Sequence, residues 1–326
     1  MKDAKVGGAK VRSRGVGTQG LKPVAATRDW FAELVDCLRR RSIAEGTRLL
    51  DRTEPAWRAL EPKDKHGAEV LLLLAQWVDV GYRDAQLLRE RLDTLKGVAR
   101  EELGVAAYVR VRMTEAFYAL SNDDADGAIR ILGSLLVMED MVLDAELRAL
   151  ANLWKGRAHR KKADYDMARE HLGAALEIAK TLPESDALVA ITKIQQAWII
   201  FQYGDSAGAL QMLSEAEKGL KKTDHWIALG NIESARGRIV RRHGDYARAV
   251  THFERAVALY EISHPNHTNL ARAMTNLSFV KRLLARDCGS FIGSIRSCTG
   301  ARLRNWSGRS RFACCMENTV GWGRRC

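Results

Sequence analysis

The chain has 326 residues, of which 46% are hydrophobic and 28% charged, and it carries a formal net charge of +12. This apolar content is sufficient for a packed core. No apolar run reaches the roughly 18 residues that a membrane-spanning helix needs, and no apolar stretch follows Met1 as in a secretory signal. We therefore expect a cytoplasmic protein without a membrane segment.

The positive charge is concentrated in two flanking segments. Residues 1–28 contain seven Lys and Arg against Asp3, and residues 287–326 contain seven Arg against Asp287 and Glu317. The remaining body, 29–286, is close to neutral. This distribution argues against a nucleic-acid partner, because such proteins present a strongly basic surface.

Residues 1–28 combine the basic residues with several glycines and Pro23. This composition predicts a disordered basic arm. An arm that touches phosphate or nucleic acid and an organelle transit peptide are the alternatives.

From Thr27 onward the apolar spacing is typical of helices. Small residues recur at positions where one helix must pack closely on another, at intervals of 39 to 43 residues: Gly46, Ala85, Ala128, Ala168, Ala209 and Ala249. Such a steady period predicts about six stacked helical hairpins, because each hairpin buries its apolar face only against its neighbours.

The clearest hairpin spans residues 237–257. Gly244 is suited to the left-handed residue after a helix, and Asp245 to the N-cap of the next helix. Gly237 and Ala249 would allow close approach of the two backbones, with Phe253 beside them. These residues predict two antiparallel helices joined at Gly244-Asp245-Tyr246.

The small and aromatic positions of this hairpin resemble those of tetratricopeptide repeat (TPR) proteins, which are helical solenoids that bind other proteins. The period near 40 is similar to the long repeats of MalT-type bacterial regulators and kinesin light chains. The resemblance implies an all-α, right-handed solenoid of antiparallel hairpins over residues 29–286. It is specific for architecture and not for activity.

Residues 269–286 form the first helix of a seventh hairpin, for which no second helix is predicted. The tail, 287–326, contains no Lys but five Cys, six Gly, five Ser and seven Arg. We interpret it as a segment read in a shifted frame. A disordered tail and a cysteine-based module are the alternatives. The unfinished hairpin makes self-association possible, because its apolar face needs a cover.

The sequence has no Walker loop and no His-Glu-x-x-His motif, and no Cys-x-x-Cys pair for zinc. We therefore predict no catalytic, cofactor or metal residues. Five tryptophans favour inter-hairpin packing over a ligand cage: Trp57, Trp77, Trp154, Trp198 and Trp226.

In TPR proteins one face of each first helix lines the concave groove. Residues eleven, eight and seven before each small anchor, together with one residue further back, give the candidate groove: Arg157, Arg160, Lys161, Trp198, Phe201, Asn231, Arg238, Arg241 and Arg242. Such a groove suits a peptide with acidic residues or a terminal carboxylate. The alternative is a solvated helix surface with ordinary charge pairing.

These features predict a non-catalytic scaffold that binds a protein or peptide partner, possibly an acidic one. The ligand- or peptide-sensing TPR region of a bacterial transcriptional regulator is the alternative. RNA binding and an enzyme are further alternatives with less support.

Overall fold

The computed structural model describes residues 27–60, 65–79, 90, 92, 100–138, 143–263 and 268–298. The regular structure in these ranges is helical throughout. It comprises α1 (Thr27–Arg40), α2 (Ile43–Arg58), α3 (Lys65–Asp79), α4 (Arg100–Ser121), α5 (Ala125–Val137), α6 (Ala145–Lys161), α7 (Tyr165–Thr181), α8 (Asp186–Gln202), α9 (Ser206–Leu220), α10 (Trp226–Arg242), α11 (Tyr246–Ser263) and α12 (Thr268–Cys298).

Consecutive helices pair as the period predicts. The hairpins are α1–α2, α4–α5, α6–α7, α8–α9 and α10–α11, and their first helices from α4 to α12 contact one another in order. The residues predicted to form a second helix after α3, including the predicted anchor Ala85, lie outside the described ranges. The array is the predicted all-α solenoid, and α12 is its last described helix.

The turns inside four hairpins share one local structure. The residue before the N-cap has a positive φ in each: Asp123, Ala163, Gly204 and Gly244. The following aspartate accepts a hydrogen bond from the backbone N–H three residues further on, as Asp245 does from Arg248. Asp124, Asp164 and Asp205 do the same. The predicted roles of Gly244 and Asp245 are thus confirmed, and the cap recurs with the repeat.

The small anchors lie at the helix contacts. Ala128, Ala168, Ala209 and Ala249 are fully buried, and a Cβ on Gly46 would collide with the Trp77 ring. A Cβ on Gly156 would come within 2.7 Å of Leu172, and one on Gly237 within 3.0 Å of Phe253. The period therefore identified positions at which larger side chains would separate the helices.

Three of the five tryptophans serve packing between helices. Trp57 and Trp77 are completely buried, and Trp154 packs on Phe117 with ring centroids 5.0 Å apart. These three therefore support the hairpin interfaces rather than a ligand cage.

The predicted end of the last regular helix at residue 286 differs from the structure. Helix α12 continues through Cys298, so the first residues of the predicted tail are helical. The segment 287–298 lacks helical periodicity but also lacks proline, and most of its residues are compatible with a helix. The predicted arm up to residue 26 and the rest of the tail, 299–326, lie outside the described residues.

The first hairpin touches a distant part of the array. The backbone N–H groups of Ile43 and Ala44, at the start of α2, donate to the carboxylate of Asp224, which precedes α10. An aspartate thus caps a helix that lies about 180 residues earlier in the chain.

Among the described helices, none is both long and apolar enough to cross a membrane.

Candidate functional site

Arginine side chains stack on aromatic rings along three successive first helices. The Arg238 guanidinium lies 4.8 Å from the Trp198 ring centroid, and that of Arg242 lies 5.0 Å from the Phe201 centroid. These contacts join α10 to α8. Arg241 points the other way and lies 5.5 Å from the Phe279 centroid on α12. Such contacts hold a planar guanidinium in a fixed orientation.

Two of the predicted groove residues bridge neighbouring repeats. Lys161 donates to the backbone oxygen of Leu120 at 2.8 Å and to Asp123 at 2.5 Å. Arg242 donates to the backbone oxygen of Phe201 at 3.3 Å. Lys161 and Arg242 lie seven residues before their anchors and each reaches 41 residues back. This position therefore satisfies carbonyl groups at the C-terminal end of the preceding first helix.

Asn231 and Arg241 also have partners within the array. The Asn231 side-chain oxygen accepts hydrogen bonds from the Tyr260 hydroxyl at 2.8 Å and from the Asn269 amide at 3.0 Å. Arg241 donates to Asn276 at 3.2 Å. These bonds connect α10 to α11 and α12, so both residues help to position the last described helix.

Arg160 and Arg238 have a different environment from the bridging residues. The Nε atom of Arg160 is buried and has no hydrogen-bond partner. Burial, followed by the neighbouring charges of Arg157 and Arg238, lowers the pKa of Arg160 to about 10. Burial is also the main reason that the pKa of Arg238 is lowered. Both side chains are half-buried, and the charges that act on them come from basic neighbours.

The structure thus brings most of the predicted groove residues to adjoining first helices. Arg157 and Arg160 lie on α6, Trp198 on α8 and Arg238 on α10. Phe201 is a buried contact for Arg242, with only 6% of its surface exposed. It therefore supports the wall of the site rather than forming its surface.

Two residues on α12 were missed. Arg272 lowers the pKa of both Arg160 and Arg238 by charge repulsion, and Phe279 receives Arg241. The repeat could have indicated Arg272, because it lies 41 residues after Asn231, which is one period.

A second charged cluster occupies α9, α10 and α11. Arg236 contacts Glu233 at 2.8 Å and Glu217 at 2.7 Å, and His252 Nδ1 lies 2.8 Å from the other oxygen of Glu233. Burial raises the pKa of Glu233, but hydrogen bonds from His252 and Arg236 outweigh it and leave the pKa lowered. We call these four residues the paired network, because each charge has an opposite partner.

A separate cavity of about 570 Å³ lies between α1 and the starts of α6 and α8. Its lining is mostly apolar and includes Phe31, Leu72, Leu147 and Leu188. It arises from the return of the first hairpin onto the array. The repeat pattern contains no signal for that contact, and none of the predicted groove residues lines the cavity.

Within the described ranges, no group of three or more His, Cys, Asp or Glu side chains is arranged to hold a metal ion. The charged groups stacked on the aromatic rings of α8 and α12 are arginines. Their chemistry is the recognition of anions by guanidinium groups.

Comparisons with known proteins give matches to structures only. No protein-family model matches the chain, and no curated protein sequence matches it. A Rap protein complexed with the competence and sporulation factor is similar over 85% of this chain and 77% of its own, with a TM-score of 0.64 and 13% identity.

Two further solved structures have comparable folds. The apo form of the quorum sensor NprR from B. thuringiensis matches 80% of this chain and 72% of its own, with a TM-score of 0.55 and 16% identity. Aspartyl phosphate phosphatase F from Bacillus subtilis matches 86% of this chain and 76% of its own, with a TM-score of 0.51 and 15% identity.

These similarities agree with the architecture of the described residues. The chain has the fold of a TPR-like helical solenoid, as its period predicts. At this level of identity the likeness concerns fold, and the function has to be argued from the side chains.

Proposed function

We propose that this chain is a non-catalytic scaffold that binds a peptide or protein partner along the inner face of its solenoid. The partner segment is extended and carries acidic residues. The observation that carries the proposal is the row of arginines held against aromatic rings on α8, α10 and α12. Oriented guanidinium groups beside apolar rings match a peptide that alternates carboxylates with apolar side chains.

The solved structures with similar folds support a binding role. One is a complex with a factor, and another is a quorum sensor. A third is named as a phosphatase. We propose no catalysis here, because the row of arginines has no nucleophile or general base bonded to it in the part of the chain that the structure describes.

The sensing region of a bacterial transcriptional regulator is the second candidate, favoured by the similarity to NprR. A sensor would bind one small molecule or one short peptide. A panel of metabolites tested by thermal unfolding separates the two candidates, because a specific ligand raises the apparent stability in proportion to its affinity.

The test is a selection of random displayed peptides on the full chain, followed by titration of the enriched peptides. We expect acidic peptides that bind more weakly as salt rises. The double variant Arg238→Glu and Arg241→Glu should weaken binding at least about tenfold, since each desolvated charge contact contributes about 1 kcal/mol or more.

The matched control is the double variant Lys180→Glu and Arg248→Glu, which changes the net charge equally on exposed positions of α7 and α11. It should leave the affinity nearly unchanged. Equal losses of peptide affinity in both double variants would mean that the overall charge of the protein, and not the groove, determines binding. Unchanged affinity in the groove variant would contradict the proposed site.

A further inference from the structure

The cavity beneath α1 lies where two separate hydrophobic cores meet. One core joins the first hairpin to α3, and its Leu38 and Leu73 line the cavity. The other core extends through the array, and its Leu72, Leu147 and Leu150 line the same cavity. The two cores therefore leave a space between them, and apolar side chains from both face that space.

The size and lining of the cavity are those of a small-molecule site. Its volume of about 570 Å³ lies within the range of about 300 to 1,000 Å³ that is usual for ligand pockets. Phe31 and Val35 on α1 and Leu188 on α8 line it and are only half-buried. These side chains would lose more of their contact with water if an apolar molecule occupied the cavity.

One charged pair lies in this mostly apolar lining. Arg110 on α4 and Glu69 on α3 both line the cavity, and Arg110 Nε lies 3.7 Å from Glu69 Oε1. That distance is too long for a hydrogen bond. The two side chains are 27% and 26% exposed, so the pair presents N–H donors and carboxylate oxygens next to each other.

The charges that line the cavity are nearly balanced. Besides this pair, the lining contains two further arginines and three further carboxylates: Arg39, Arg41, Asp144, Glu146 and Glu184. Asp144 also accepts a hydrogen bond from a backbone N–H at the start of α6. A charged ligand would be attracted by one set and repelled by the other, and its own hydration would be lost in the apolar part. The lining therefore favours a neutral molecule.

We propose that this cavity is a binding site for a neutral, mainly apolar small molecule that carries one hydroxyl or amide group. The apolar part of the ligand packs on Phe31, Val35 and Leu188 and so joins the first hairpin to the array. The hydroxyl or amide lies at the pair of Arg110 and Glu69, where it accepts a hydrogen bond from the guanidinium and donates one to the carboxylate. None of the groove residues lines the cavity, so this site is independent of the proposed peptide site.

The first experiment measures the binding of N-phenyl-1-naphthylamine, a neutral dye that fluoresces in apolar surroundings, to the full chain. The bound dye is then displaced by decanol, decanamide, decanoate or decylammonium, which share one chain length and differ in the polar group. We expect decanol and decanamide to displace the dye at concentrations at least about tenfold lower than the two ions, because an ion loses its hydration on entry. Absence of dye binding, or equal displacement by all four molecules, would overturn the proposal.

The second experiment tests whether the polar group of the ligand contacts the charged pair. Glu69→Gln leaves the charge of Arg110 in the lining and should lower the decanoate concentration needed for displacement by about tenfold, through a charge-assisted hydrogen bond. Arg110→Gln leaves the charge of Glu69 and should favour decylammonium to a similar extent. A merely structural role of the pair would not produce opposite shifts. Unchanged preferences in both variants would overturn the assignment of the polar group.

Two tryptophan variants locate the dye in the molecule. Val35→Trp fills part of the cavity and should weaken dye binding at least about tenfold. The matched control is Val137→Trp on α5, which changes a side chain that is 88% exposed and does not line the cavity. Equal dye binding by the two variants, whether retained or lost, would overturn the site. Circular dichroism shows whether Val35→Trp is folded, and if it is not, the two charge variants decide.

The same displacement assay distinguishes a small molecule from a segment of the chain itself. A synthetic peptide of residues 1–26, which precede α1 in the sequence, is added to the dye complex of the wild type. We expect no displacement at concentrations at which decanol displaces the dye. Displacement by the peptide would identify this segment as the occupant and overturn the assignment to a small molecule.

Discussion

Two arginines on one helix, two residues apart, illustrate opposite uses of charge. Arg236 belongs to the paired network, where hydrogen bonds and charges from Glu217 and Glu233 outweigh burial and leave its pKa raised. Arg238 lies over Trp198 among other arginines, and its pKa is lowered. The first holds three helices together, and the second faces the proposed ligand. Partner chemistry therefore distinguishes the two roles better than burial does.

The largest expected effect comes from breaking the paired network. Glu233→Ala would leave Arg236 with only the more exposed Glu217 and would leave His252 without its acceptor. We expect a loss of about 3 kcal/mol in the free energy of unfolding, since removal of one partner strands a buried charge. Urea unfolding monitored by circular dichroism measures it.

Glu177→Ala provides the matched control for this variant. Glu177 forms an exposed pair with Lys180 at 2.7 Å on α7. An exposed pair of this type contributes about 0.5 kcal/mol or less. Similar losses in the two variants would show that the paired network has no special role.

A smaller effect should follow acidification and can be assigned to His171. Burial, followed by the charges of Lys155 and His159, lowers the pKa of His171 to about 4. Its ring stacks on His159 with centroids 5.6 Å apart, and its Nδ1 lies 3.0 Å from the Asn152 oxygen. The folded protein therefore favours the neutral ring, in contrast to the network around Glu233.

The direction in which stability changes with pH follows from proton linkage. The unfolded chain binds this proton near pH 6.5 and the folded chain only near pH 4, so stability falls as the pH decreases through that interval. We expect a loss of about 1 to 2 kcal/mol between pH 7 and pH 5, reduced by partial solvation of the ring. Urea unfolding across this pH range should show a shallower slope for His171→Gln, and an unchanged slope would refute the assignment.

The smallest effect sharpens the comparison at adjacent residues. Lys161→Met removes the bonds to Leu120 and Asp123 and should cost about 1 kcal/mol in the free energy of unfolding. Arg160→Gln should cost less, because the buried Nε atom of Arg160 has no hydrogen-bond partner. Thermal unfolding of both variants makes the comparison. The same pattern in both would mean that the two positions do not differ in role.

The repeat period predicted much of the fold because its small and aromatic residues lie at the contacts between neighbouring helices. Gly237, Ala249 and Phe253 show their roles through spacing alone, and the caps at Asp205 and Asp245 follow from short-range backbone chemistry. Helix register also indicated which side chains of neighbouring first helices meet, since Arg238 and Trp198, about one period apart, are in contact.

The remainder depends on contacts that no local pattern encodes. Register cannot reveal that Lys161 donates to Leu120 and Asp123 whereas the buried Nε atom of its neighbour Arg160 has no hydrogen-bond partner. Register also does not indicate that α12 continues past residue 286. The helical periodicity ends there, although most of the residues that follow are compatible with a helix. Whether an arginine is paired is a property of the assembled superhelix.

The bond from Asp224 to the start of α2 has a consequence for the order of folding. Stacked hairpins assemble through short loops, whereas this contact closes a loop of about 180 residues, and closure of long loops slows formation. We therefore expect the first hairpin to dock late and to detach early, while the rest of the array stays folded. Detachment would uncover the cavity beneath α1, so access to its apolar lining would be governed by a local opening rather than by global unfolding.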